Sequence, residues 1–549
     1  AHTWVVRASE NPSGSEPLDM TNPRMSQPET KPDGRPGRLW YAGGAALAAA
    51  AAAGVGHLVA GLVSPEASPV LAVGSAVIDA TPTPVKEWAV AQFGTADKPI
   101  LIGSVAIGAL LLAGGIGLIA RARRTLGLAL LGALAFTSVG AALLRPTSTA
   151  VDLLPGFATA LFGVLAAGWF LGLLDQWGAR DRDPAAGADA GATASGDGRS
   201  DRRRVLFAAA GLGAVAATGS TLGKALSRGA SPSGVTLPAA AEALPTLPGG
   251  LESTVRGISA FRTPNAQFYR IDTALVIPRV STDGWSLTID GDVERPYTIT
   301  YDELLAMPMV ERDITLTCVS NEVGGPYIGA ARWLGVRTKD LLERAGVRPG
   351  ADQILSHSTE GMTISTPVQA LTDDREALVA VGMNGEPLPN RHGFPARLVT
   401  PGLYGFVGAT KWLTRMEAMT YAAQSAYWTD RGWATDAPIL TQSRIDTPRG
   451  LDRRDAGQVM IGGVAWAQQR GIAQVEVRVD DGPWQVATLG PDAGIDYWRQ
   501  WYLVWDAAPG RHSLSVRATD LTGELQPEGR TTPFPEGARG WHTIVVTID

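Results

Sequence analysis

Cysteine is almost missing from this chain: Cys318 is the single thiol in 549 residues. An intrachain disulfide is therefore excluded, as is any metal or iron–sulfur site built on several cysteines. Histidine is scarce as well, at six residues, and the long apolar runs contain only His57. A bis-histidine haem held inside those runs needs two, so no haem is expected in this chain. Basic surplus is lacking too. The net charge of -6 gives no argument for a nucleic-acid partner, and none is expected. A lone cysteine in an apolar strand is ordinarily a small core residue. Here, however, Thr315-Leu316-Thr317-Cys318 runs into Val-Ser-Asn-Glu-Val-Gly-Gly. Polar residues and paired glycines after a β-type run place the thiol at a strand end entering a loop, where sites are built. If Cys318 does chemistry it acts alone, as a nucleophile or as the one protein ligand of a metal held mostly by something else.

What is present divides the chain into two unlike halves. Up to about residue 225 it is rich in Ala, Leu and Gly, and charged residues vanish over Leu39–Val63, Ile100–Ala120, Thr125–Leu144, Leu153–Leu174 and Val205–Gly223. A spanning helix needs about 20 apolar residues, so an all-α membrane bundle of about five transmembrane helices is expected in the lipid bilayer. Ser68–Ala80 is too short to span and reads, with Val85–Phe93, as an interfacial or re-entrant loop. Lys31, Arg35 and Arg38 precede the first span; Arg121, Arg123 and Arg124 separate the second from the third; Arg180, Arg182 and Arg202–Arg204 separate the fourth from the fifth. The remaining connections carry only Lys86, Lys98 and Arg145. By the positive-inside rule the N-terminus is cytoplasmic and everything after the fifth span is extracytoplasmic, which fits a cell (inner) membrane protein.

The expected organisation is a disordered tail (1–37), a four-helix membrane domain (38–177), a cytoplasmic linker (178–204), a fifth helix (205–223), an external tether (224–255), a catalytic domain (256–430) and a C-terminal domain (431–549). Asp201-Arg202-Arg203-Arg204-Val205-Leu206-Phe207 resembles a twin-arginine export signal, although three arginines beside a span also serve as plain anchors. That export route carries folded cargo, which suits a domain that acquires a cofactor before crossing.

From 256 to about Met419 short strands alternate with a few helices. Ser286–Asp290 and Ile314–Cys318 alternate like strands, while Tyr301–Met307 and Thr338–Ala345 are amphipathic, an α+β pattern. Residues 450–549 read as a β-sandwich, with strands at Val459–Trp466, Ala473–Val479, Trp501–Trp505 and His512–Ala518 and turns at Asp481-Gly482 and Pro509-Gly510.

Five stretches in order carry a resemblance: Phe268-Tyr269-Arg270-Ile271-Asp272, Leu316-Thr317-Cys318-Val319-Ser320-Asn321, Met383-Asn384-Gly385-Glu386-Pro387-Leu388-Pro389, Arg391-His392-Gly393-Phe394-Pro395-Ala396-Arg397 and Lys411-Trp412-Leu413. Together they resemble the sulfite oxidase family of molybdopterin enzymes, over about 256–549 and none of the membrane half. The resemblance implies a molybdenum-molybdopterin cofactor, with the Cys318 thiolate as the protein's metal ligand and the pterin dithiolene supplying the other sulfurs. A soft thiolate suits such a metal. His392, Arg397 and Lys411, with Thr410 beside the last, match positions that hold the pterin and its phosphate. Asn265, Tyr269, Arg270 and Asp272 fall in the cofactor-binding segment that passes over the metal. Arg270 matches the active-site arginine that orients an oxyanion. Ser358 is the expected contact from the segment 356–360, with His357 as its near alternative.

Two departures follow. Family members among the animal and plant sulfite oxidases place an arginine five residues after the cysteine, where this chain has Val323. They also place a tyrosine near the metal at a position falling close to Trp433. Arg431 is a candidate to restore the positive charge, so Cys318, Arg270, Arg431 and Trp433 form the expected catalytic set. The family's C-terminal domain is immunoglobulin-like and mediates dimers in soluble members; with a membrane anchor, a homodimer is left open. The expected function is oxygen-atom transfer at an outward-facing molybdenum site, sulfite-oxidase-like, with S-oxide or N-oxide reduction as the alternative. Lacking haem, the chain needs a separate electron-transfer partner, a cytochrome or a quinone-linked membrane protein. A non-catalytic receptor or redox-complex scaffold that kept the fold is the alternative of another class.

Overall fold

The computed structural model describes residues 36–93, 96–145, 148–180, 197–226 and 232–549. Nearly all of the expected N-terminal tail and residues 181–196 of the expected linker lie outside these. Among the described residues five helices are long and apolar enough to cross a membrane: α1 (Arg38–Val63), α4 (Asp97–Ala122), α5 (Arg124–Leu143), α6 (Leu154–Arg180) and α7 (Asp197–Leu226). Their packing is built on small residues. The bundle core holds Ala45, Ala48, Ala51, Ala113 and Ala167 around Phe170 and Leu174. Between α1 and α7 a Cβ added to Gly219 would sit 2.6 Å from the Gly54 carbonyl oxygen. Such contacts bring backbones together where lipid offers no hydrophobic drive between helices. The linker expected over 178–204 is shorter than the sequence suggests, because residues 197–204 are already helical. Arg202–Arg204 are good helix formers and simply extend the span.

Two shorter helices, α2 (Pro69–Ala80) and α3 (Thr83–Phe93), connect the first two spans. They lie at the end of the bundle that meets the rest of the chain: Tyr427 donates its hydroxyl to Asp79 Oδ1 at 3.0 Å, and Lys98 reaches Asp272 at 2.8 Å. The opposite end carries the arginine-bearing turns and is tied by Arg124 to Asp175 (3.1 Å) and Tyr41 to Asp175 (2.7 Å).

The stretch before residue 256, expected as a loose tether, is packed from 235 onward. Ala241 N–H donates to Met309 O at 2.7 Å, Arg332 donates to Pro245 O at 2.8 Å, and Glu242 pairs with Arg312 and Arg337. Its Pro-rich sequence has no periodicity of its own, so it takes its order from the strands it lies against.

Beyond it, strands form two sheets. One has the order β2 (Tyr297–Thr300), β1 (Ser286–Gly291), β10 (Leu413–Met419), β5 (Gln353–Ser358), β6 (Thr363–Pro367); β1 and β10 run parallel and the other pairs antiparallel. The other has β3 (Val310–Thr317), β4 (Ile328–Arg337), β7 (Leu378–Met383) and β8 (Glu386–Pro387), with β9 (Arg397–Val399) beside β7. Leu287, Ile354 and Met416 of the first sheet meet Val379, Val381 and Leu398 of the second in one core, closed by helices Tyr301–Leu305 and Thr338–Ala345. Thr300 and Glu303 form a capping box at the start of the first helix.

The C-terminal strands form two further sheets, Gln442–Thr447, Gly457–Trp466, Arg499–Ala507 and Thr488–Leu489 against Arg453–Arg454, His542–Ile548, Gly510–Asp520, Ile472–Val479 and Gln485–Val486. Ile461, Val475, Val477, Trp501, Leu514 and Val516 fill the space between them. This is a β-sandwich with inward residues alternating along each strand.

Candidate active site

Strand β3 ends at Thr317, and Cys318 is the first residue beyond it. Its N–H donates to Tyr327 O (3.0 Å), its carbonyl accepts from Asn321 N–H (3.0 Å), and Asn321 Oδ1 accepts from Tyr327 N–H (2.8 Å). The loop after the cysteine is thus a fixed turn. Burial pushes the thiol above its ordinary value, while Ser320 and the charge of Lys411 work the other way.

Cys318 lines a cavity of about 900 Å3, counted with the open solvent at its mouth. His392, Arg397, Thr410 and Lys411 line it as well, as do Tyr269, Asp272 and Ser358. Arg397 projects from β9, is 5% exposed, and lies 5.1 Å from the Trp333 ring centroid. Its guanidinium donates only to carbonyl oxygens, to His392 O at 3.1 Å and to Ala409 O at 3.4 Å, and forms no ion pair among the described residues. Burial brings its pKa down from 12.5 to about 10. A buried cation without a carboxylate is costly unless an anion completes it.

His392 Nε2–H donates to Asn265 O at 2.8 Å. Burial pushes its pKa down to about 3, so the ring is neutral and presents Nδ1 as an acceptor. The next residue, Gly393, has φ +110°, and a Cβ there would stand 3.1 Å from Lys411 Cα. Only glycine lets these two segments come so close. Lys411 is followed by Trp412 at φ +52°, an uncommon conformation for a bulky residue, held by the bond from its indole Nε1–H to Asn390 O (2.9 Å). Lys411 Nζ donates to Ile271 O (3.0 Å) and Asp272 Oδ2 (2.5 Å), and burial lowers its pKa to about 8 against the pull of Asp272. Thr410 Oγ1 and Ser356 Oγ share a hydrogen bond of 2.6 Å.

Asp272, with a side chain 4% exposed, collects three cations: Lys411, Arg270 and Lys98. Burial acts to raise its pKa, yet the three cations hold it well below the usual carboxylate range.

Several expected residues take other places. Arg270 is not on the cavity wall. Its Nε and Nη2 grip the Asp272 carboxylate at 2.8 Å each, because that carboxylate lies two residues along the same segment. Arg431 is also off the wall. It lies 3.5 Å from the Tyr427 ring centroid and faces Asp79 at 3.5 Å. Asn265 sits behind His392, with Nδ2 donating to Met383 O. Of the pair in β5, Ser358 faces the cavity, whereas His357 is on the opposite face, 3.1 Å from Glu417. Trp433 is on the wall beside Phe406 and Trp428, and its indole N–H is buried without a partner among the described residues.

Two groups here were not anticipated. Glu360 lines the cavity. Burial, then the negative charges of Asp272 and Glu66, raise its pKa to about 8. It lies in the 356–360 segment read as a cofactor contact, but nothing in that segment shows the carboxyl to be buried. Lys98 comes from the membrane half, 174 residues before Asp272, a pairing that no local pattern signals.

The cavity suits a molybdenum-molybdopterin group: one thiol, a buried guanidinium without an anion, an unpartnered indole donor and a lysine share its wall. Residues 274–428 match the family described as oxidoreductase molybdopterin binding domain. Human mitochondrial sulfite oxidase is 30% identical over 341 residues, covering 52% of this chain and 62% of that one. A nitrate reductase (NADH) 1 from rice is 27% identical over 332 residues, covering 49% and 36%. The chain thus spans less than two thirds of the length of these relatives. Among solved structures, the sulfane dehydrogenase SoxCD from Paracoccus pantotrophus aligns over 52% of this chain and 83% of that one, with 24% identity and a TM-score of 0.46. With its ordered motifs gathered at one cavity and its family match over 274–428, the chain carries an oxidoreductase molybdopterin binding domain and is similar, in that half, to the sulfite oxidases.

Proposed function

We propose that this is a membrane-anchored molybdopterin-dependent oxidoreductase that transfers an oxygen atom to or from a small substrate. The observation carrying the proposal is that Cys318 opens onto the same cavity as Arg397, a buried cation with no carboxylate of its own. Bound there, the cofactor supplies two-electron oxygen-atom transfer. Cys318 would be its protein sulfur ligand. Arg397 and Lys411 would face its phosphate and pterin, His392 would offer a neutral acceptor, and Thr410 and Ser358 would add hydroxyls. Glu360, protonated at neutral pH, can hold a proton at the cavity wall.

The substrate side is less cationic than an oxyanion site requires. Val323 stands where relatives carry an arginine, Arg270 is bound to Asp272, and Arg431 is stacked on Tyr427. Phe406, Trp428 and Trp433 line that cavity instead. These features favour a neutral S-oxide or N-oxide over sulfite, the substrate for which the human relative is named. A panel of sulfite, methionine sulfoxide and N-oxides with artificial electron donors and acceptors tests this. Turnover of sulfite alone would reject the S-oxide reading, and purified protein without molybdenum or pterin would reject the enzyme reading in favour of a scaffold.

The site is assigned to the extracytoplasmic side of the inner membrane. Arginines at Arg121–Arg124 and Arg202–Arg204 mark the far end of the bundle as cytoplasmic, and the twin-arginine motif beside α7 is the proposed export signal. Residues 256–430 are assigned as the catalytic domain and 431–549 as an immunoglobulin-like sandwich. Electrons pass to or from a separate partner, and a homodimer through the sandwich is the reading to test by solution mass.

A further inference from the structure

Lys98 is the second residue of α4, where the second span begins. An ammonium group has three protons, and Lys98 Nζ places all three on one short segment of the catalytic half. It donates to Asp272 O at 2.7 Å, to Asp272 Oδ1 at 2.8 Å and to Ala274 O at 2.7 Å. That segment supplies Ile271, Asp272 and Thr273 to the cavity wall.

The carboxylate of Asp272 is shared in an orderly way. Oδ2 accepts from Lys411 Nζ (2.5 Å) and Arg270 Nε (2.8 Å), while Oδ1 accepts from Arg270 Nη2 (2.8 Å) and Lys98 Nζ (2.8 Å). Lys98 also holds the backbone carbonyls on either side of Thr273, so it restrains both the main chain and the side chain of the segment. Remove it and Oδ1 keeps only Arg270 while the carbonyls of Asp272 and Ala274 lose their donor, so the segment that carries Asp272 to Lys411 and Arg270 is held less tightly. A second contact grips the other edge of the cavity. Asp79, at the end of α2, accepts from Tyr427 and faces Arg431, next to the wall residues Trp428 and Trp433. The membrane half thus touches both flanks of the site from the same end of the bundle.

We infer that Lys98 is a positioning residue of the cofactor cavity, acting through Asp272 on Lys411 and Arg270, and that the membrane half is a working part of the site as well as an anchor. The inference rests on the reading that this cavity holds the molybdenum cofactor. A hydrogen-bonded, mostly buried ammonium reacts only when its contact opens. In full-length protein in detergent, amine acylation followed by mass spectrometry should modify Lys98 at least about tenfold more slowly than Lys339, whose side chain is 42% exposed. Asp272→Asn, which removes the charge but leaves the two carbonyl acceptors, should narrow the gap between the two rates. Lys98→Met should lose molybdenum on gel filtration and alter the Mo(V) resonance of what remains, and Lys98→Arg should restore both. The inference is overturned if Lys98 is acylated as fast as Lys339, or if Lys98→Met keeps wild-type molybdenum content and resonance. Should Lys98→Met fail to accumulate, the acylation comparison on the wild type still decides whether the contact exists. A wild type that is slow at Lys98 yet never holds molybdenum overturns the cofactor reading, and with it the role given to Lys98.

Discussion

Arg397→Met should act with opposite signs on the empty and the loaded protein. In the empty protein the guanidinium is fully buried, and its pKa falls from 12.5 to about 10. That fall corresponds to roughly 3 kcal/mol against the charged form. Methionine reaches only to about the position of Nε, but it removes that burden. It also strips partners from the carbonyls of His392, Ala409 and Leu398, which accept at 3.1, 3.4 and 3.4 Å. The best of these is worth about 1 kcal/mol and the longer two less. The empty variant should therefore be more stable than the empty wild type by about 1–2 kcal/mol, a rise of a few degrees in Tm at about 2–4 °C per kcal/mol. The loaded protein should show the reverse, because the cofactor's anionic group loses its buried counter-charge, and molybdenum should wash out during purification. The assay is thermal unfolding of both proteins, made with and without molybdate in the growth medium, beside metal analysis. An empty variant that melts many degrees lower would show that Arg397 is a structural keystone. An unchanged loaded variant would show that it does not face the cofactor.

Cys318 should resist a thiol alkylator in molybdenum-loaded protein and react once the cofactor is removed; equal labelling of both forms would contradict metal ligation. Glu360 has a folded pKa of about 8 against an ordinary 4.5. As a carboxyl raised on folding, its contribution is fully present below about pH 4.5 and is lost as pH rises to about 8. Glu360→Gln should therefore flatten the loss of stability across that window, and, if the proton is used in turnover, should remove an alkaline limb of kcat/KM near pH 8. Identical pH profiles for variant and wild type would refute the buried-acid assignment. Replacing Arg202 and Arg203 by lysine should leave the catalytic half accessible to protease only from the cytoplasmic side, and unchanged localisation would reject twin-arginine export.

The spans were legible in the sequence because hydropathy is a local property: uncharged runs of this length have few other uses. The gathering of His392, Arg397 and Lys411 with Cys318 at one cavity was legible because these motif residues stand close to one another on the turn and strands that frame one wall. Arg270 was readable as a cation of this segment but not as the partner of Asp272, since a spacing of two in an irregular segment does not tell which way either side chain turns. The same limit hid Glu360, whose chemistry comes from apolar surroundings and the neighbouring charges of Asp272 and Glu66. The segment 235–255 failed in the other direction. Its composition is that of a tether, but its backbone groups find partners on β3 and β4, and composition does not report such partners.

On the membrane-anchored reading proposed above, the packing of that segment also sets how the enzyme searches for its partner. Val235 already packs against the catalytic core nine positions after Leu226 closes α7. At ~3.5 Å per residue no chain of that length spans more than about 30 Å. The catalytic half therefore cannot leave the bilayer surface by more than about its own radius, and the Lys98 and Asp79 contacts draw it closer still. Encounters become a problem in two dimensions. A redox protein moving laterally in the same membrane meets the cavity far more often, at equal copy number, than one diffusing through the surrounding volume.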